Sequence, residues 1–112
     1  MTADSEGQWM TSLDGAAKVR FLARLTHALT IAGRSASYEG GTQGLIRPEY
    51  LRSINEIQHR VSACLVEVLS GDASESFERS IAGWVLEPSD AELRRHTAYA
   101  WQHAKSYVQR AT

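Results

Sequence analysis

The stretch from Pro48 to Leu69 restricts the fold of this chain more than any other. Apolar side chains recur there as Tyr50, Leu51, Ile54, Ile57, Val61, Cys64, Leu65 and Val68. That three-and-four spacing puts them on one face of an α-helix. Pro48 suits the first turn, where its missing N–H would have no partner in any case. Ser70-Gly71 supplies the stop. A helix with so wide an apolar stripe has to be covered, and no segment shows the sustained alternation of a strand. The cover must therefore come from other helices.

Three further helices are legible. From Leu13 to about Ala32, Phe21, Leu22, Leu25, Ala28, Leu29 and Ala32 recur at helical spacing, with Thr11 or Ser12 as the expected cap. Gly33 either ends that helix or lies inside one that runs to Tyr38. The stretch 33–46, with Gly40, Gly41 and Gly44, is expected to be a glycine-rich loop. A short helix follows, capped by Asp72 with Glu75 or by Ser74, with Phe77, Ile81, Trp84 and Val85 on its inner face and Pro88 at its end. Ser89 and Glu92 then have capping-box spacing for a last helix that runs to about Gln109. Its inner face, Leu93, Thr97, Ala100, Ala104 and Val108, is small enough for another helix to approach closely.

Residues 1–12 read as a polar N-terminal segment whose Trp9 and Met10 attach to the core. The expectation is a single all-α domain over 1–112: a compact up-and-down bundle of about four helices, the third one short. The end of the long helix, Cys64 to Leu69, is apolar around much of its circumference. Burial from several sides is expected there, by the bundle itself or by a second subunit of a homodimer.

Composition narrows the function classes. The 112 residues suffice for one hydrophobic core. A net charge of −1 gives no bulk attraction to nucleic acid or anionic lipid. No apolar run reaches the roughly 18 residues of a spanning helix. The start, Met1-Thr2-Ala3-Asp4-Ser5-Glu6, lacks the basic and apolar regions of a signal peptide. The lone Cys64 excludes an internal disulfide and a multi-thiolate metal site. A cytoplasmic, bacterial protein is the expectation.

Glu56-x-x-His59 has the spacing used in carboxylate-bridged metal sites, where it recurs on two helices of a bundle. Here there is one copy. At 100° per residue, His59 lies about 160° and Glu56 about 140° from the centre of the apolar stripe near Ile54 and Val61. Both point away from the expected core. A metal role would need ligands from another subunit, and no cofactor is expected. His96 and His103 border the last helix's apolar stripe together with Tyr107. Two turns separate the histidines by roughly 10.5 Å, too far for one metal ion. They are expected as core-margin histidines, with a polar small-ligand pocket formed with Tyr99 or Tyr107 as the sharper alternative.

Catalytic signatures are absent: there is no Gly-x-Ser-x-Gly elbow and no Walker A lysine after the glycines of the loop. Cys64 lies on a buried face and reads as a small core residue. Arg20, Arg24, His27 and Arg34 form a basic ridge on the first helix, but acidic residues balance the chain, so a solvated face is expected ahead of a nucleic-acid surface.

Ser35-Ala36-Ser37-Tyr38-Glu39-Gly40 resembles the inhibitory signature of Fic-domain antitoxins, Ser/Thr-x-x-x-Glu-Gly/Asn. In that family the motif lies on a helix, and its glutamate pairs with an active-site arginine to block productive binding of the nucleotide γ-phosphate. The resemblance implies an inhibitory role for Glu39 and a supporting contact for Ser35. The leading expectation is a non-enzymatic protein–protein interaction module that works through exposed helix faces or the 33–46 loop, with a homodimer as one form. A small-ligand or metal-binding bundle is the alternative, and a Fic-type antitoxin the third.

Overall fold

The computed structural model describes the backbone of residues 2–43 and 48–111 and the side chains of 2–33 and 48–110. The described residues form five helices: α1 (Ala3–Thr11), α2 (Gly15–Gln43), α3 (Pro48–Ser70), α4 (Glu75–Leu86) and α5 (Ala91–Ala111). The expected all-α fold is present, with five helices in place of four. The additional one is α1, formed by the segment read as a polar tail. Thr2 caps it by accepting a hydrogen bond from the Ser5 N–H.

The helix boundaries follow from side chains that compete for unpaired backbone N–H groups. Asp14 caps α2 by accepting from the Ala17 N–H, where Thr11 or Ser12 was expected. Ser74, one of the two expected caps, accepts from the Phe77 N–H at the start of α4. Asp90, and not Ser89, accepts from the Glu92 and Leu93 N–H groups at the start of α5. Gly71 ends α3 with φ +78°, its N–H bonded to the Val68 carbonyl and that of Asp72 to the Glu67 carbonyl. Only glycine adopts that backbone at little cost.

The glycine-rich loop expected over 33–46 is corrected by the run of α2 through Gln43. Gly33 lies within the helix, and a Cβ there would meet the Ile54 side chain at 3.7 Å. Residues 44–47 fall outside the described residues.

α2 is the central element and packs most extensively on α3 and α5, while α1 packs on α4. Ile54 faces Gly33, and Gln58 donates to Thr30, so α3 runs antiparallel to α2. The core is continuous across the helices, from Met10 through Phe21, Leu22, Leu25 and Leu29 to Ile54, Val61, Ile81, Val85, Trp101 and Val108. Phe21 sits between two tryptophans, edge-on to Trp9 at 5.1 Å and to Trp101 at 4.8 Å. Such perpendicular ring pairs contribute about 0.5–1.5 kcal/mol each beyond the area they bury.

Two glutamates are buried in this interior, and each meets a lysine. Glu6 accepts from the Trp101 indole N–H at 2.9 Å and from Lys105 Nζ at 2.8 Å. Glu78 accepts from Lys18 Nζ at 2.8 Å. The first cluster ties α1 to α5 and the second ties α2 to α4. These are the chain's two lysines; its other basic residues are arginines. α1 and α4 also approach backbone to backbone at Gly7, where a Cβ would stand 3.1 Å from the Arg79 carbonyl oxygen.

None of the helices, over its described residues, is long and apolar enough to cross a membrane.

Candidate functional site

A groove of about 390 Å³ lies where the N-terminal half of α3 meets the end of α4 and the turn into α5. Ile57 and Leu93 form its apolar lining, Gly83 leaves it open, and Glu56, Glu87 and Asp90 bring three carboxylates to it. Trp84 lies in this groove. The sequence pattern puts Trp84 among the inner residues of its helix with Ile81 and Val85. In the structure Ile81 and Val85 are fully buried, whereas Trp84 is 39% exposed. The reason is geometric: Ile81 and Val85 already fill the face of α4 that meets the core, and position 84 is rotated about 100° from Val85.

Arg60, one turn beyond Glu56 on α3, stacks its guanidinium 3.5 Å from the Trp84 ring centroid. Its contact with Glu56 Oε1 is long, 4.0 Å, and both side chains are exposed. The carboxylate is therefore only loosely engaged. Asp90 is already occupied in part by capping α5.

Glu56 and His59 both lie on the exposed side of α3, as the wheel indicates. Glu56 lines the groove and His59 does not. Among the described residues, no three His, Cys, Asp or Glu side chains gather in an arrangement that could hold a metal ion.

The structure gives His96, His103 and Tyr107 separate environments. His96 Nδ1 is hydrogen-bonded to the Tyr50 hydroxyl, and their rings meet nearly perpendicular at 5.8 Å. This contact links α3 to α5. His103 is exposed. Tyr107 lies beneath the Arg24 guanidinium, 4.0 Å from its ring centroid. The three do not share a pocket among the described side chains. Ser35 and Glu39 belong to the helical backbone of α2, but their side chains lie outside the described residues.

Cys64 is fully buried. Burial pushes its thiol up from 9.0 to about 11, with the charges of Glu78 and Glu67 adding to the shift. A thiol held in its neutral form is a poor nucleophile at neutral pH.

Other exposed apolar side chains stand on the outer face of α3, where Val66 is 60% and Leu69 65% exposed. The end of α3 is thus not covered from several sides within one chain. Its Cys64 is enclosed, Leu65 and Val68 are half-buried, and Val66 and Leu69 face out.

The groove residue Trp84 and the Arg60 stacked on it were not marked as a site by the sequence. The available signal was an arginine on the outward side of α3 and a tryptophan at the edge of the α4 stripe, and neither identifies its partner without the crossing of the two helices. Comparison with protein-family models, curated proteins and solved structures finds no match to this chain.

Proposed function

We propose that the chain is a non-enzymatic protein-interaction module that holds a partner segment in the α3–α4 groove, with Trp84 as the anchor. The observation that carries this reading is the partial exposure of Trp84 in the groove, with Arg60 stacked on its ring. Tryptophan and arginine dominate the binding energy of protein interfaces, because each presents a large contact area with a polar handle. The carboxylates of Glu56, Glu87 and Asp90 favour a segment with a basic side chain next to an apolar one. Ile57 and Leu93 would receive the apolar part.

Selection from a random displayed-peptide library on the wild-type protein, with counter-selection on Trp84→Ala, tests this directly. Enrichment of peptides that pair Arg or Lys with an apolar residue supports the reading. Failure to enrich, or peptides that bind both proteins equally, removes it. Sedimentation velocity over a range of concentrations adds a second arm: a dimer that Trp84→Ala abolishes would make a second copy of this chain the occupant.

A further inference from the structure

A further opening, of about 250 Å³, lies where α2 meets α5 and is lined by Arg20, Ala23, Arg24, His27 and Tyr107. Arg20, Arg24 and His27 share one face of α2, since steps of four and three residues return to the same side of a helix. Tyr107 comes from α5. Among the described residues, no carboxylate lines this depression.

Four other cations of this chain, whose net charge is −1, are met by carboxylates. Lys18 meets Glu78, Lys105 meets Glu6, Arg79 meets Glu75, and Arg60 approaches Glu56. Among the described residues, Arg20 and Arg24 have no carboxylate within 4.0 Å. They are like charges one turn apart, an arrangement that costs a helix a few tenths of a kcal/mol, roughly, when nothing neutralises it.

Arg24 carries the argument furthest. Its guanidinium carbon lies over the Tyr107 ring, 4.0 Å from the centroid. Its Nε is buried and has no hydrogen-bond partner. The side chain is therefore oriented by a ring and leaves its Nε donor unspent. A planar guanidinium fixed in this way is pre-organised for an oxyanion, which it binds through two parallel N–H···O contacts.

We propose that Arg20, Arg24, His27 and Tyr107 form a binding site for a phosphate group. Arg24 supplies the fixed fork, Arg20 a second guanidinium from the rim, and His27 and the Tyr107 hydroxyl further hydrogen-bonding groups. Binding neutralises the Arg20–Arg24 pair and brings an acceptor to a guanidinium that lacks one. The depression suits a phosphomonoester better than an extended polymer, because the cationic residues are confined to two turns of one helix.

Isothermal titration of the intact protein with inorganic phosphate at constant ionic strength tests the site, with acetate and chloride as parallel titrants. The expected result is saturable phosphate binding with little response to chloride. Arg24→Gln should weaken it about tenfold or more, the loss of a charge-assisted contact expressed as affinity. Arg20→Gln, at an exposed position, gives the same direction without disturbing the ring contact, and guards against misfolding of the first variant. Arg24→Lys, which keeps the charge and removes the fork, should fall between wild type and Arg24→Gln. Phosphate bound no better than acetate would overturn the assignment to phosphate. Absence of saturable binding in the millimolar range, or binding unchanged by both Arg24→Gln and Arg20→Gln, would overturn the site.

Discussion

Two places in this molecule are assembled from the same three residue types, a tryptophan, a basic side chain and a glutamate, with opposite outcomes. In the first, Trp101, Lys105 and Glu6 join α5 to α1: Trp101 is fully buried, and both carboxylate oxygens of Glu6 are used. In the second, Trp84, Arg60 and Glu56 join α4 to α3: the ring is partly exposed and the carboxylate is held only loosely. Burial decides the difference. In the Glu6 cluster donors and acceptors are matched, because an unpaired buried polar group loses its water without replacement. At the surface water completes the set, and the same groups stay available to something else.

The largest expected effect is at Glu6. Glu6→Ala strands the Lys105 ammonium and the Trp101 N–H, and a loss of about 3 kcal/mol is expected from the cost of breaking a buried pair. Urea denaturation measures it; a loss below about 1 kcal/mol would mean that the interior cluster is no more demanding than the surface one.

Cys64 supplies the next effect. Its folded pKa of about 11 lies above the ordinary 9.0, so the folded state keeps this proton longer than the unfolded chain does. The resulting stability is present below pH 9.0 and is lost as pH rises towards 11, on the order of 3 kcal/mol in all. Cys64→Ser would remove this pH dependence at the cost of some packing. In the native protein at pH 8, maleimide should modify the thiol slowly and urea should accelerate the reaction greatly; fast native modification would contradict the burial.

Trp84→Ala should cost the fold under about 1 kcal/mol, the worth of an exposed cation–π contact with some lost area. A thermal melt close to wild type is the expected result, and a large drop would turn Trp84 into a core residue after all. Glu56→Gln should have the smallest effect, about 0.5 kcal/mol or less, since its ion pair is exposed and long. A double-mutant cycle of Glu56 with Arg60 would show whether even that is present.

The same contrast explains what the sequence makes legible. The stripe of α3 was readable because Ile54, Ile57, Val61 and Cys64 repeat with the helical period and are buried accordingly. α1 was not, because its buried residues are Glu6, Gly7 and Met10, a set in which only methionine counts as apolar. Its docking depends on a charge that finds Lys105 and on a glycine that lets Arg79 come close, both set by helices far along the chain. Trp101 was missed for a related reason. The small residues of the α5 stripe drew attention to one face, while Phe21 and Glu6 make a place for the tryptophan beside it. The groove needed the α3–α4 crossing, and the arginine depression needed Tyr107 to meet Arg24; periodicity within a single helix encodes neither.

The pairing of each lysine with a glutamate has a practical consequence for chemistry at amines. Lys105 is engaged wherever Glu6 of α1 stays in place beside α5, and Lys18 wherever Glu78 of α4 stays in place beside α2. An acylating reagent therefore meets either side-chain amine freely only after the corresponding helix pair has parted. Mass spectrometry of the two acylated peptides would time these separations independently in one unlabelled sample, so the chain carries a built-in clock for the release of each of its two shorter helices.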